Sequence, residues 1–391
     1  MNTEKKNPRD AVIVAAGRSA MARAFKGSFA ETHPIEFGAQ TLKGVLAKLD
    51  HFDPALIEDV IVGCAFPDKK MGYNAAKLIV QRAGLPESVC AQTITRFCSS
   101  GLQSIATAAN AIKAGDMDIV VAGGCEQMTG MNMMEPDFEI DEKLMEENPD
   151  AYIIMGETAE LVAEKYNISR EEMEEMAVRS HKLAAAAQAA GKFDEEIVPV
   201  TTTIQGNEVT VTKDEGIRPG TNMESLAQLK PCFRKDGRVT AATSSQMTDG
   251  AGFVVMMARE TAEKLGYAPI ARLVSFAVGG VPANLMGIGP IAAVPKALKK
   301  ADLTLDDISV VELNEAFASQ ALACIKTLEI PMEKVNPNGG AMALGHPLGA
   351  TGTFLTCKLL SELKRRKDQY GMVTMCIGGG MGAAGIFEME S

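Results

Sequence analysis

The sequence predicts an α/β fold, because short runs of β-branched residues alternate with helical stretches towards both ends of the chain. A weak internal echo supports duplication: a reactive loop, a helix and a strand ending in glycines occur in that order twice. Strands are predicted at 11–15, 60–62, 118–122, 308–312 and 372–375. Helices are predicted at 35–49, 74–83, 102–114, 292–301 and 353–366.

The middle of the chain differs from both ends and is richer in methionine, acidic residues and helix formers. Residues 171–188 are predicted to form a surface helix, with Ser169 as its N-cap, Glu172 completing a capping box and Gly191 ending it. The threonine-rich stretch 201–212 is compatible with a hairpin or with an extended linker.

Bulk properties restrict the class of protein. The 391 residues exceed one ordinary domain. The sequence has no apolar stretch of about 20 residues, the length needed to span a membrane. The polar start, residues 1–10, lacks the apolar core of a secretory signal, so we expect a cytoplasmic protein. The net charge of −11 argues against binding to nucleic acid or to an anionic membrane.

The eight cysteines contain no C-x-x-C pair, and no H-E-x-x-H is present, so we expect reduced thiols and no metal site. Cys98 stands in the run RFCSSG, just before a helical segment. The amino terminus of a helix stabilises a thiolate and a developing oxyanion. Cys98 is therefore the best candidate nucleophile, and a buried structural cysteine is the alternative.

Two glycine-dense turns near the carboxyl end each carry one reactive side chain. His346 is surrounded by glycines and Pro347, and Cys376 begins the run CIGGGMG. Glycine allows backbone amides to approach a substrate closely. The other histidines lie in ordinary polar or helical contexts and are expected to be solvated: His33, His51 and His181. Two thiols and an imidazole can in principle carry out acyl transfer.

These runs resemble the signatures of thiolases, the acyltransferases that cleave or form 3-ketoacyl-CoA. Further segments resemble the same family, in the family's order, over nearly the whole chain: 120–128, 155–160, 218–221, 240–245, 286–290 and 314–318. The resemblance implies a thiolase fold, with two similar α/β halves in five layers (α-β-α-β-α) and an inserted loop domain. It also implies a homodimer or homotetramer.

The expected domains follow from that resemblance. Residues 1–122 and 249–270 would form the amino-terminal half, and residues 271–391 the carboxyl-terminal half. Residues 123–248 would form the loop domain, which covers coenzyme A.

The resemblance also assigns catalytic roles. Cys98 would carry the acyl group, His346 would activate it as a base, and Cys376 would be the acid and base on carbon. Asn314 would hold a water that stabilises the enolate oxygen together with His346. The backbone amides of Cys98 and Gly378 would form the second oxyanion site.

No permanently bound cofactor is implied, and coenzyme A is the co-substrate. Arg218 would lie towards its adenine end and Ser245 towards its pantetheine amide. Met155, Phe233 and Phe317 would form walls of the acyl and pantetheine tunnel, with an ordinary core role as the alternative. One segment of the chain is basic: Arg218, Lys230, Arg234, Lys235 and Arg238. It is expected to bind the phosphates of coenzyme A, and the alternative is a solvated charged loop.

Two other functions stay open at this point. A catalytically idle acyl-CoA or lipid carrier of the same fold would need neither thiol. A related ketoacyl synthase would use a cysteine with two histidines, or with a histidine and an asparagine, and the CIGGG run points away from it. The motifs lean slightly towards degradative thiolases of fatty acid β-oxidation, and chain-length specificity is not determined.

Overall fold

The computed structural model describes residues 6–133 and 139–390. Its strands are β1 (Ala11–Arg18), β2 (Ala22–Arg23), β3 (Asp59–Gly63), β4 (Cys90–Ile94), β5 (Ile119–Gln127), β6 (Val200–Ile204), β7 (Asn207–Val211), β8 (Thr248–Ala258), β9 (Ala271–Gly280), β10 (Val310–Leu313), β11 (Tyr370–Ile377) and β12 (Met381–Met389). Its helices are α1 (Pro34–Leu46), α2 (Ala75–Arg82), α3 (Ser100–Ala114), α4 (Glu142–Glu147), α5 (Met155–Lys165), α6 (Arg170–Ala189), α7 (Met223–Ala227), α8 (Arg259–Leu265), α9 (Gly289–Ala301), α10 (Ala318–Leu328), α11 (Ala341–Leu344) and α12 (Leu348–Arg366). Every predicted strand and helix is confirmed, with shifted ends.

The strands of the two ends form two sheet halves. One half has the order β1-β8-β5-β3-β4 and the other has the order β9-β12-β11-β10. They meet where Val12 pairs with Arg272 and Ile13 pairs with Ala271, between β1 and β9. Strand β4 lies at one edge of the sheet and pairs with β3.

Helices α3 and α12 form a central layer between the sheet halves. Their leucine and isoleucine side chains pack together with strand residues from both halves. Helices α1 and α2 cover the outer face of one half, and α9 and α10 cover the outer face of the other. The layers therefore follow the order α-β-α-β-α, which confirms the predicted five-layer arrangement.

The segment between β5 and β8 carries α4 to α7 and the β6-β7 hairpin. Helix α6 begins with the predicted capping box, in which Ser169 and Glu172 bond each other's backbone. The helix lies at the surface as predicted: Glu171, Glu175 and Lys182 are exposed, while Met173 and Met176 on the opposite face are buried in a core cluster. The threonine-rich stretch is a hairpin, and its turn residues Gln205 and Gly206 have φ of 49° and 81°.

Among residues 6–133 and 139–390, no helix is long and apolar enough to cross a membrane. The same residues contain no group of three or more His, Cys, Asp or Glu side chains that could hold a metal ion.

Candidate active site

Cys98 lies in the short turn Phe97–Ser99, which connects β4 to the first turn of α3. The structure therefore places it at the start of a helix, as predicted. Phe97 has a φ of 43°, a left-handed conformation that is unfavourable for an aromatic residue. The turn leaves Cys98 partly exposed beside an apolar cluster that includes Ala65, Phe66 and Leu348. Such strain is common where a reactive side chain must be presented to a substrate.

The electrostatics of Cys98 differ from the prediction. Burial raises the pKa of its thiol to about 11, although the backbone N–H groups of Gly378 and of Cys98 itself lower it. We expected the helix terminus to stabilise the thiolate, and burial outweighs that effect. The resting group is therefore a neutral thiol. The two N–H groups that converge on it are positioned to stabilise negative charge that develops during reaction.

His346 lies in the loop between α11 and α12. The preceding Gly345 has a φ of 113°, and a side chain there would collide with Thr248. The backbone N–H of His346 donates to the Gln246 carbonyl at 2.9 Å. This strained, glycine-dependent loop fixes the backbone that carries the imidazole.

The hydrogen bonds of the His346 ring determine its tautomer. Its Nε2 lies 3.3 Å from the Asn314 side-chain nitrogen, which donates, so Nε2 is the acceptor. Its Nδ1 lies 2.5 Å from the Thr351 hydroxyl and carries the ring proton. Burial lowers the pKa of His346 to about 3, so the ring is neutral at ordinary pH. A neutral imidazole whose Nε2 carries a lone pair and no proton is the form that a general base requires.

Asn314 directly follows β10 and is fully buried. Its backbone N–H donates to Thr374 of β11 at 2.9 Å, and Gln320 donates to its carbonyl at 3.2 Å. In the described part of the chain, its side-chain oxygen has no hydrogen-bond partner. That oxygen is therefore available to a substrate or a water at the site.

Cys376 lies near the end of β11 and is fully buried. Burial raises the pKa of its thiol well above the ordinary value, and the neighbouring Cys98 raises it further. Gly378 follows the strand, and the position of a Cβ there lies 3.4 Å from the Met155 sulfur and 3.8 Å from the Phe97 ring. The structure therefore brings the predicted Cys98, Cys376 and Gly378 together.

Four of the predicted coenzyme A residues lie around the same loops. Phe233 and Phe317 contact each other edge to face, with ring centroids 6.0 Å apart. Ser245 donates its backbone N–H to Ala316 at 2.9 Å, two residues after Asn314. Met155 also lies there, since a Cβ at Gly378 would be 3.4 Å from its sulfur.

Arg218 is exposed, and its backbone N–H donates to His181 at 3.1 Å. The prediction of a solvated His181 is wrong, because this side chain is buried on α6 and holds the Arg218 loop. Within the predicted basic segment, Arg234 pairs with Glu157 and Glu164, so its charge is already neutralised by carboxylates.

Sequence reasoning missed three residues that hold the site together. Thr351 fixes the His346 ring, as described above. The Gln246 side chain donates to the carbonyls of Gly216 and of the α11 helix, so it ties the Arg218 segment to the His346 loop. Glu315 accepts from the Ser180 hydroxyl at 2.6 Å, which anchors the Asn314 segment to α6. The partners of Gln246 and Glu315 are far apart along the chain, so a single sequence does not reveal these contacts. Thr351 is five residues from His346, and no sequence pattern distinguishes it from other threonines of the helix.

Comparison with known proteins supports the same assignment. The family "Thiolase, N-terminal domain" matches residues 11–260, and "Thiolase, C-terminal domain" matches residues 267–389. The chain is 50% identical to a 3-ketoacyl-CoA thiolase of Bacillus subtilis, over 97% of this chain and 100% of that protein. It is 47% identical to the human peroxisomal 3-ketoacyl-CoA thiolase, over 97% of this chain and 91% of that protein.

Solved structures agree with this result. The Bacillus anthracis acetyl-CoA acetyltransferase has a TM-score of 0.90 at 40% identity, over 97% of this chain and 99% of that one. The dimeric peroxisomal thiolase of Saccharomyces cerevisiae has a TM-score of 0.90 at 38% identity, over 99% of both chains. The fold, the converging reactive loops and these matches lead to one conclusion: the chain belongs to the thiolase family of acyltransferases.

Proposed function

We propose that the protein catalyses the reversible, coenzyme A-dependent cleavage of 3-ketoacyl-CoA to acetyl-CoA and a shortened acyl-CoA, or the reverse condensation of two acetyl-CoA. The observation that carries the proposal is the convergence of two backbone N–H groups on Cys98, beside a second, buried thiol. A single thiol accounts for acyl transfer alone, whereas the second thiol provides for proton transfer at carbon.

In the cleavage direction, Nε2 of His346 removes the proton of Cys98 as its sulfur attacks the 3-keto carbon. The bond between carbon 2 and carbon 3 then breaks. The acyl group stays on Cys98, and acetyl-CoA leaves as an enolate that receives a proton from Cys376. The Cys376 thiolate then takes the proton of a new coenzyme A thiol, whose sulfur attacks the acyl-enzyme. The bond between the acyl carbon and Cys98 breaks, His346 returns its proton to the Cys98 sulfur, and the shortened acyl-CoA leaves. In condensation, Cys376 removes the proton from acetyl-CoA.

Two groups of donors stabilise the charged intermediates in this scheme. The N–H groups of Cys98 and Gly378 bind the oxyanion formed on the acyl carbonyl. Asn314 and His346, which are hydrogen-bonded to each other, stabilise the enolate oxygen, with a water held by Asn314. A preorganised donor of this kind contributes about 3 to 4 kcal/mol to transition-state stabilisation. Because one thioester is exchanged for another, the free energy change of acyl transfer is small and the reaction is reversible.

Coenzyme A is the co-substrate in this proposal, and no permanently bound cofactor takes part. Residues 123–248 act as the inserted loop domain that covers coenzyme A. Residues 1–122 with 249–270 form the amino-terminal half, and residues 271–391 form the carboxyl-terminal half. Arg218 binds near the adenine end, and Ser245 binds the pantetheine amide. The aromatic pair Phe233 and Phe317, with Met155, forms the apolar wall of the tunnel.

We further propose a homodimer or homotetramer. Strand β4 precedes the Cys98 turn and lies at the edge of the sheet, where its backbone groups can pair with a second copy. A cytoplasmic location is proposed because all eight cysteines are free. Light scattering tests the oligomer, and cell fractionation tests the location against the peroxisomal alternative that several relatives' names suggest.

Thiolysis rates for a series of 3-ketoacyl-CoA chain lengths test the proposed reaction. We expect coenzyme A-dependent release of acetyl-CoA from chains longer than acetoacetyl-CoA, consistent with a role in fatty acid β-oxidation. Turnover of acetoacetyl-CoA alone would restrict the protein to acetoacetyl-CoA chemistry. No turnover of any member of the series would contradict the proposal.

A further inference from the structure

A buried carboxylate lies where the end of β5 meets the first turn of α12, next to the reactive loops. Glu126 is at the end of β5 and is fully buried. Within residues 6–133 and 139–390, no Lys or Arg side chain forms an ion pair with it. Burial raises its pKa to about 7, against hydrogen bonds that lower it. Burying such a group is costly, so its hydrogen bonds require an explanation.

Those hydrogen bonds join segments that are distant in sequence. One carboxylate oxygen accepts from the backbone N–H of Ala65 at 2.6 Å and of Gly349 at 2.8 Å. The other accepts from Phe66 and from the Cys64 thiol, both at 3.4 Å. The loop after β3 and the first turn of α12 are therefore held by one side chain.

The fit at Gly349 shows how closely these segments approach each other. A Cβ at this position would lie 2.7 Å from the Glu126 carboxylate and 2.6 Å from the Cys64 Cα. Gly349 is in the first turn of α12, where unpaired N–H groups and the helix dipole favour a negative charge. The carboxylate therefore anchors the start of α12 on the β3 loop.

Both anchored segments contact residues next to His346 or Cys98. Helix α12 carries Thr351, which holds the His346 ring. Ala65 in the β3 loop and Leu348, which precedes Gly349 in α12, belong to the apolar cluster in which Cys98 packs. The charge of Glu126 also acts on Cys98, whose pKa it raises.

We infer that Glu126 is a positioning residue for the acylation step: its carboxylate holds the β3 loop and the first turn of α12 together, and so places His346 against Cys98. This inference rests on the proposed function. Glu126 does not touch substrate in this account, and it acts through the backbone that carries the reacting groups.

The test compares Glu126→Gln with Glu196→Gln. Glu196 is an equally buried carboxylate whose partner is Arg18, so it serves as a matched control for the cost of altering a buried acid. Gln keeps the shape of Glu126 but offers one acceptor oxygen and directs an N–H₂ group at a backbone donor. Rapid-quench mass spectrometry follows acetylation of Cys98 by acetyl-CoA in a single turnover, and steady-state kinetics give KM.

We expect Glu126→Gln to slow acetylation by roughly 10- to 100-fold with KM changed less than about threefold, since small misplacements of reacting groups have effects of this size. Glu196→Gln should lower Tm while acetylating Cys98 near the parental rate. If Glu126→Gln does not fold, Glu126→Asp withdraws the carboxylate by one methylene and should show the same split.

Parental acetylation rates in the folded Glu126 variants would overturn the inference, as would an equal slowing in Glu196→Gln. Absence of acetylation in the parent enzyme would instead contradict the proposed function.

Discussion

The two reactive thiols occupy different environments. Cys98 is partly exposed in a strained turn before α3, and backbone N–H groups converge on its sulfur. Cys376 is fully buried at the end of β11, and both burial and the nearby Cys98 disfavour its thiolate. The accessible thiol with nearby donors suits attack on a carbonyl. The enclosed thiol that resists ionisation suits delivery of a proton to carbon.

Removing the accessible thiol should have the largest effect. We expect Cys98→Ala to lower thiolysis by roughly 10⁴-fold or more, because loss of a nucleophile leaves only binding and oxyanion stabilisation. No acyl-enzyme should be detected by intact mass spectrometry. Unfolding curves would show that the variant is folded. A variant that still accumulated acyl-enzyme would assign the nucleophile to another residue.

Removing the enclosed thiol should separate the two half-reactions. We expect Cys376→Ala to be acetylated by acetyl-CoA within a few-fold of the parental rate, and to lose condensation by roughly 10²- to 10⁴-fold, the usual range for a general acid or base. Mass spectrometry measures the first step and acetoacetyl-CoA formation the second. Condensation at the parental rate would show that the proton transfer is wrongly assigned.

The pH dependence of alkylation should also differ between Cys98 and Cys376. Because the pKa of Cys98 is about 11, its thiolate fraction should rise about tenfold for each pH unit between pH 7 and pH 10. Iodoacetamide alkylation of the Cys98 peptide should rise in parallel, and Cys376 should react more slowly throughout. The exposed Cys90 in the same samples reports whether reagent is depleted. A plateau in Cys98 reactivity below pH 9 would contradict the neutral resting thiol.

A smaller effect is expected from the residue that orients the base. Thr351→Val removes the acceptor for the Nδ1 proton of His346 and should lower acylation of Cys98 by about tenfold, as a lost positioning bond does. Thr351→Ser keeps the hydroxyl and should restore most of the rate. Equal rates for the Val and Ser variants would show that the hydroxyl does not orient His346.

Part of the fold was predictable because strands β1, β3, β5, β10 and β11 and the longer helices carry apolar patterns. Strands β8 and β12 were not predicted, since glycine and alanine interrupt their apolar runs. In β12, a Cβ at Gly382 would lie 2.0 Å from the Gly289 backbone, so the glycine reflects a close contact with α9 and not a loop.

The residues of the site also divide into those that a single sequence reveals and those that it does not. A single sequence reveals Cys98 just before a helical segment, and it reveals His346 and Cys376 in glycine-rich runs. Glu126 and Thr351 carry no local signal, because their roles depend on which backbone or ring they meet after folding. The sequence shows the helix start that favours a Cys98 thiolate, but it does not show the burial that outweighs this effect and raises the pKa of the thiol.

In the proposed mechanism, Cys98 carries the acyl group. Incubation with acetyl-CoA alone, rapid acid quench and peptide mapping by mass spectrometry test it directly. We expect one acetyl group on the peptide that contains Cys98, and its loss when coenzyme A is added before the quench. Acetylation at Cys376 or another residue, or none on Cys98, would contradict the account.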